Sequence, residues 1–145
     1  MKGVYVLVLR LDKDTEVHTG SLGELHLKRG FYAYVGSALG SGGFKRVTRH
    51  FNVASGKNPA RRWHIDNLLP CSEVVCAVLM PTGEALECTV AKTLGQFSEG
   101  IKGFGCTDCG CLAHLFFSEA DFRDNITRAC SKLTGNESII INPHM

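Results

Sequence analysis

The chain has 145 residues, of which 44% are hydrophobic and 21% charged, and its formal net charge is +2. This composition is typical of a soluble globular protein, the length predicts one domain over residues 1–145, and the charge excludes the global basic excess of proteins that coat DNA. No apolar stretch approaches the roughly 20 residues of a membrane-spanning helix, and Arg10 and Asp12 interrupt the N-terminal apolar run where a secretory signal would continue, so we expect a cytoplasmic protein.

Short β-strands are predicted in the first 36 residues. Residues 3–11 and 31–36 are apolar runs rich in β-branched and aromatic side chains, which is typical of strands. Residues 16–19 and 24–27 alternate polar and apolar side chains, which indicates two short half-buried strands. Together these segments predict an antiparallel meander.

Two helices are predicted next. Apolar residues recur at helical spacing from Phe44, and Gly56 would end this first helix. Asn58 and Pro59 are typical of an N-cap and a first helical position, so a second helix is predicted from there to Pro70.

Strands and helices are predicted to alternate in the second half: a strand over residues 74–80, a helix after the turn 81–83, a strand over 111–117, a helix to about 133 and an edge strand within 136–145. Ser118 and Asp121 have the spacing of a capping box at the start of the last helix. The predicted fold class is α+β, a small antiparallel (mixed) β-sheet flanked by α-helices.

Two tyrosines adjoin glycines in the predicted strands, in the segments Gly3-Val4-Tyr5 and Tyr34-Val35-Gly36. A glycine-containing loop follows, and then a helix that carries Arg46 and His50 one turn apart. Glu87 lies near the start of a later helix. This order of residues resembles the GIY-YIG endonuclease superfamily, and implies a single nuclease-like domain.

The resemblance extends to a branch of small prokaryotic, mainly archaeal, Uri-type proteins of largely unknown function, and it covers residues 3 to about 117. It rests on the segments Tyr34-Val35-Gly36-Ser37-Ala38, Gly42-Gly43-Phe44, Arg49-His50-Phe51, Trp63-His64-Ile65-Asp66 and Phe104-Gly105-Cys106-Thr107-Asp108-Cys109. The branch implies the fold and the chemistry better than the substrate.

The implied activity is metal-dependent hydrolysis of DNA phosphodiesters, in repair or processing. Arg46 offers a fork that matches phosphate oxygens, and Glu87 is a single carboxylate for one Mg²⁺ or Mn²⁺ ion. Tyr5 would accept the proton of the attacking water, with His50 or the cation lowering its pKa, and Tyr34 would position the phosphate or the water.

A cluster of basic residues between positions 45 and 62 could neutralise several phosphates of a DNA backbone. The predicted substrate-binding residues are Ser37, Lys45, Arg49, Arg61, Arg62 and His64. A solvated basic face is the alternative. Other repair proteins are expected partners, since a chain of this length has no room for a separate targeting domain.

Two features depart from the repair nucleases of the superfamily. Ser37 stands just after Tyr-x-Gly, where those enzymes tend to have Lys. They also carry an Asn about a dozen residues beyond the metal-binding Glu, but no Asn lies between residues 67 and 125 here. That role is either empty or taken by Gln96, Glu99 or Asp108.

The chain contains seven cysteines, an odd number that argues against a closed disulfide framework. Four potential zinc ligands fall close together: Cys106, Cys109, Cys111 and His114. Three interpretations stay open, namely a zinc site, a tight Gly/Cys turn, and a redox CxxC. An earlier segment contains Trp63, for which we expect a core position rather than base stacking.

Three functions therefore compete on sequence grounds. The first is a metal-dependent DNA endonuclease. The second is a non-catalytic nucleic-acid-binding module on the same fold, and the third is a zinc-stabilised interaction protein.

Overall fold

A computed structural model describes residues 2–40, 42–104 and 113–143. The strands of this part of the chain are β1 Gly3–Leu11, β2 Thr15–His18, β3 Glu24–Leu27, β4 Gly30–Ala38, β5 Glu73–Pro81, β6 Glu99–Gly100, β7 Leu115–Ser118 and β8 Ile139–Ile141. Its α-helices are α1 Lys45–Ser55, α2 His64–Leu68, α3 Glu87–Leu94 and α4 Arg123–Thr134.

Six strands form one sheet in the order β6-β7-β4-β1-β5-β8, with antiparallel pairs throughout. The α+β prediction is confirmed, and β8 occupies a sheet edge as expected. The predicted meander is wrong, because β1 pairs directly with β4 while β2 and β3 form a separate two-stranded sheet. Long apolar β1 and β4 can be buried on both faces, which the short half-polar β2 and β3 cannot.

The central strand β1 carries two hydrophobic cores because successive side chains point to opposite faces of a sheet. One face joins Tyr5 and Leu7 to Val47 of α1. The other face joins Val6 to Val90 of α3, together with residues of α4. Each fully buried Val or Leu stabilises the fold by about 1.5–3 kcal/mol. The sheet is thus held between α1 and α2 on one side and α3 and α4 on the other.

Two predicted helix starts are wrong. Residues 58–63 are not helical: the Asn58 side chain accepts the N–H of Ala60 at 2.9 Å in a local turn, and α2 begins only at His64. Ser118 forms no capping box either, since its hydroxyl donates to the carbonyl of Ala120. Phe122 precedes α4 and makes no side-chain cap. In both places a local side-chain hydrogen bond competes with the helical pattern.

The first predicted helix is confirmed within one residue at its start, and β5 confirms the predicted strand at 74–80. Of the strand predicted over 111–117, residues 111 and 112 lie outside the described residues. None of the helices in the described segments is long and apolar enough to cross a membrane.

Candidate active site

The glycines of the two tyrosine segments, Gly3 and Gly36, lie where a larger residue would overlap its neighbours. Tyr5 lies opposite Gly36 in the β1–β4 pair, and a Cβ on Gly36 would overlap the Tyr5 ring. A Cβ on Gly3 would overlap the carbonyl of Met80 on the neighbouring strand. Gly36 therefore leaves room for the Tyr5 ring to lie across β4, whereas Gly3 leaves room for the Met80 backbone of β5.

The Tyr5 hydroxyl lies 2.7 Å from Nε2 of His50, and both side chains are buried, with exposures of 1% and 0%. Burial, assisted by the positive charge of Arg49, lowers the pKa of His50 to about 4. The imidazole is therefore neutral at pH 7, and its tautomer with a proton on Nδ1 can accept the Tyr5 hydroxyl proton. That Nδ1 has no hydrogen-bond partner among the described residues.

Burial also raises the pKa of the Tyr5 phenol well above its ordinary value, and Tyr34 adds to the rise. Arg46 lowers this pKa and Glu87 raises it, so both charges are near enough to act on the phenol. The expectation that His50 lowers the pKa of Tyr5 is wrong, because a neutral imidazole supplies no positive charge. The other four predicted catalytic residues nevertheless all act on the Tyr5 phenol: His50 by its 2.7 Å contact, and Tyr34, Arg46 and Glu87 by their charges.

Tyr34 completes an aromatic cluster on the same face of the sheet. Its ring contacts His50 edge-on, with centroids 6.1 Å apart, and Phe104 in the same manner at 6.2 Å. Tyr34 is half-buried, whereas Tyr5 is inaccessible. Tyr34 is thus the tyrosine that solvent can reach.

Arg46 is exposed on the first turn of α1, and its guanidinium donates to the carbonyl of Ser37 at 2.9 Å. Ser37 therefore contributes its backbone to the site by fixing Arg46. Arg46 and His50 lie one turn apart as predicted, but their surroundings differ. The Arg46 side chain is exposed to solvent, whereas the His50 side chain is buried in the core.

Arg49 is held by Asp66, a residue without exposed surface. Its guanidinium donates to both carboxylate oxygens at 2.9 Å. The same carboxylate accepts the backbone N–H groups of Arg62 and Trp63. Although burial acts to raise it, these hydrogen bonds lower the pKa of Asp66 below its ordinary value. Asp66 is thus a buried carboxylate with its charge compensated.

Trp63 does not lie in the core. It is 36% exposed, and the guanidinium carbons of Arg49 and Arg46 lie 4.1 and 5.0 Å from its ring centre. Such contacts are typical of cation–π attraction. Trp63 therefore supports both arginines, and its ring also contacts that of His50, with centroids 5.9 Å apart.

Glu87 is the first residue of α3, and its Oε1 lies 2.8 Å from Nδ1 of His114. The Glu87 side chain is 31% exposed, whereas that of His114 is buried. A partly exposed carboxylate beside a buried imidazole fits the way Mg²⁺ is often held, by one carboxylate with waters and phosphate oxygens. Within the described segments, no group of three or more potential ligands could hold a metal ion by itself.

Cys106, Cys109 and Cys111 lie outside the described residues, as does Asp108, so the zinc prediction stays a prediction. Of the other candidates for the Asn role, Gln96 is exposed. Glu99 lies on β6 at the sheet edge, where its charge acts on Tyr32.

The remaining predicted substrate-binding residues lie at three places: the start of α1, the segment before α2, and α2 itself. Lys45 is exposed at the start of α1, next to Arg46. Arg61 and Arg62 are exposed before α2, and the Arg61 guanidinium donates to the carbonyl of Ala60. His64 lies against Phe104, with ring centroids 5.6 Å apart.

Three contacts of the candidate site were not predicted from the sequence. They are those of Asp66 with Arg49, of Trp63 with the two arginines, and of His114 with Glu87. A signal existed for Asp66, which occupies the third position of α2, from which an acid reaches back to the N-cap amide. The sequence offered no signal for the other two, because their partners come from distant segments.

Comparison with known proteins yields one significant match. No curated protein and no solved structure matches the chain significantly. A family model matches residues 4–135, which is nearly the whole chain. The chain therefore belongs to the family described as Domain of unknown function DUF123.

Proposed function

We propose that this protein is a metal-dependent DNA endonuclease of the GIY-YIG type, which hydrolyses phosphodiester bonds. The observation that carries the proposal is the buried Tyr5–His50 hydrogen bond, with Tyr34, Arg46 and Glu87 acting on the same phenol. A structural tyrosine needs only one hydrogen-bond partner. Convergence of a cation, a carboxylate and a second phenol on it is typical of a catalytic site.

Arg46 is the proposed phosphate-binding cation. Its anchor is the neutral carbonyl of Ser37, so its full positive charge is available to a ligand. Its exposure lets phosphate approach, and the Trp63 ring limits its rotamers. A guanidinium fixed in this way stabilises charge that develops on phosphate oxygens with little reorganisation.

Tyr5 and His50 form the proposed proton relay. Tyr34, the tyrosine that solvent can reach, would position the attacking water, and Tyr5 would take that water's proton while passing its own phenolic proton to Nε2 of His50, so that no free phenolate forms. This step requires that the bound substrate brings the water to a phenol that is only 1% exposed. The lowered pKa of His50 opposes formation of its imidazolium, so the relay requires that the attacking water itself be made more acidic. A divalent ion, when bound, would acidify the attacking water.

Glu87 would hold one Mg²⁺ or Mn²⁺ ion, with His114 orienting the carboxylate. The proposed substrate contacts are Lys45, Arg49, Arg61, Arg62 and His64, which together with Arg46 would follow a DNA backbone. A role in DNA repair or processing, an Uri-type affiliation and a cytoplasmic location belong to the same proposal.

A cleavage assay tests this function. Single-stranded, duplex, flapped and lesion-bearing DNA would be incubated with the protein in Mg²⁺, Mn²⁺ or chelator. We expect metal-dependent nicking that Glu87→Ala and Arg46→Ala abolish. Glu84→Ala is the matched control, since Glu84 is an exposed acid in the turn before α3. Absence of cleavage by the unmodified chain on every substrate and metal would contradict the proposal.

The second candidate function is a nucleic-acid-binding module without turnover. The same pKa directions favour it, because a protonated phenol bonded to a neutral imidazole is also a stable structural pair. This function predicts salt-sensitive DNA binding without cleavage in any metal.

A further inference from the structure

A cavity of about 270 Å³ lies beside the cluster of proposed catalytic residues. Ala38 and three glycines of the following loop line it, together with Lys45, Arg46 and Arg49. Of the proposed catalytic residues, only Arg46 belongs to its lining among the described residues. The cavity is therefore adjacent to the catalytic cluster and shares one cation with it.

The charge of this cavity is positive. Its described lining contains three cations and no carboxylate. Asp66 compensates Arg49, but Arg46 is anchored by a neutral carbonyl. The backbone N–H of Lys45 donates to the carbonyl of Gly42 at 3.2 Å, but the Lys45 ammonium group has no hydrogen bond or ion pair with any described residue. Two uncompensated cations thus remain to attract an anion.

The glycines of the loop are not all explained by the protein's own conformation. Gly43 has a φ of 54°, which favours glycine. Gly40 and Gly42 have no such φ, and a Cβ on either would meet open space. Bare backbone at these two positions, next to three cations, is what a phosphate group needs for close approach.

We propose that this cavity binds a phosphate group that flanks the scissile phosphate on the same strand, with Lys45 as its principal cation. This inference rests on the proposed function. Arg46 links the two positions because it lines the cavity and donates to the carbonyl of Ser37, next to Gly36, which lies opposite Tyr5. The volume is slightly below the roughly 300 Å³ at which ligand pockets begin, so it suits one phosphate and its sugar.

The first test measures binding alone, in chelator, so that its result does not depend on cleavage. Inorganic phosphate, AMP and adenosine would be titrated against labelled protein while the backbone amide signals of Gly40 and Gly42 are followed. We expect phosphate and AMP to shift these signals and adenosine to leave them unchanged. Equal shifts with adenosine, or none with phosphate or AMP, would overturn the proposal.

Two variants have matched controls. Gly42→Leu should fill the cavity and abolish the phosphate response of the Gly40 amide, whereas Gly83→Leu should retain it, since a Cβ on Gly83 also meets open space. Lys45→Ala should weaken the response, whereas Lys132→Ala removes the same charge from α4, on the other face of the sheet, and should not. Equal behaviour of variant and control in either pair would overturn the site.

The second test separates a flanking diester from a terminal monoester. With a 5′-hydroxyl oligonucleotide, the logarithm of the binding constant falls linearly with the logarithm of the salt concentration. Lys45→Ala should make this slope less steep by about one, as for the loss of one phosphate contact. A neutral methylphosphonate linkage beside the cleavage position should weaken binding to the unmodified chain but not to Lys45→Ala. If Lys45→Ala weakened binding only to 5′-phosphorylated DNA, the cavity would bind the terminal phosphate of a strand. That result would overturn the proposal that it binds a phosphate flanking the scissile one.

Discussion

Arg49 and Asp66 form a two-point pair, with both hydrogen bonds at 2.9 Å, and the carboxylate is completely buried. The guanidinium lies over the Trp63 ring, and the carboxylate also holds the backbone before α2. One carboxylate therefore fixes both a cation of the site and the segment that carries its aromatic support.

Replacement of Asp66 by Asn should destabilise the protein. It removes the charge that compensates Arg49, and breaking a buried pair costs about 3–5 kcal/mol. We expect the low end of this range, since the Arg49 side chain is 21% exposed. Urea denaturation measures the change.

The control for this variant is Asp121→Asn. Asp121 pairs with Arg123, but their side chains are 39% and 48% exposed, and solvent-screened pairs contribute about 0–1 kcal/mol. Equal losses in the two variants would contradict the structural role of Asp66.

Because the pKa of Asp66 is lowered in the folded protein, the stability that its carboxylate contributes is present above about pH 4. This stability is lost as the pH falls through the pKa of Asp66 in the folded state.

Stability should also depend on pH through His50. Its pKa is lowered to about 4 in the folded protein from the ordinary 6.5, so between these values the unfolded chain binds more protons. The free energy of unfolding should fall by roughly 3 kcal/mol as the pH is lowered from about 6.5 to 4, at 1.36 kcal/mol per pKa unit. Urea titrations at several pH values should show this loss in the unmodified chain and not in His50→Gln. A parallel loss in the variant would assign the titration to another group.

Tyr5→Phe should separate catalysis from packing. It removes the hydroxyl that contacts His50, so stability should fall by about 1–3 kcal/mol. Nicking should fall by about 10²–10⁴-fold, as for loss of a general acid–base group. Tyr32→Phe is the matched control, because Tyr32 is equally buried on the sheet and donates to the Lys28 carbonyl at 2.6 Å. The control should lose stability and keep its nicking rate, and equal nicking rates in the two variants would contradict the relay.

Gly36→Ala should disturb the site through its backbone neighbour. The added methyl group would overlap the Tyr5 ring, which is buried and cannot move aside. Overpacking of this kind costs about 1–3 kcal/mol. Thermal unfolding should show the loss, whereas Gly83→Ala, in open space, should be nearly neutral. An unchanged melting temperature in Gly36→Ala would contradict the described position of the ring.

Local patterns were sufficient for part of the fold. The run 3–11 and the helical spacing from Phe44 predicted β1 and α1 because periodicity and strand-forming side chains are properties of neighbouring residues. The same reasoning failed at Asn58 and Ser118, where a side-chain hydrogen bond a few residues away outweighed a helix-start pattern. Local patterns did not predict the strand pairing either, since β1 pairs with β4 rather than with β2, the next strand along the chain.

The sequence by itself determined which residues could form a site: two tyrosines beside glycines, Arg46 and His50 one helical turn apart, and Glu87 at a helix start. Only the tertiary structure decided their chemical state. Burial between α1 and the sheet lowers the pKa of His50 and raises that of Tyr5, and neither follows from residue order. The pairs Arg49–Asp66 and Glu87–His114 likewise join separate segments of the chain, so their partners are selected by packing across the sheet rather than by local sequence.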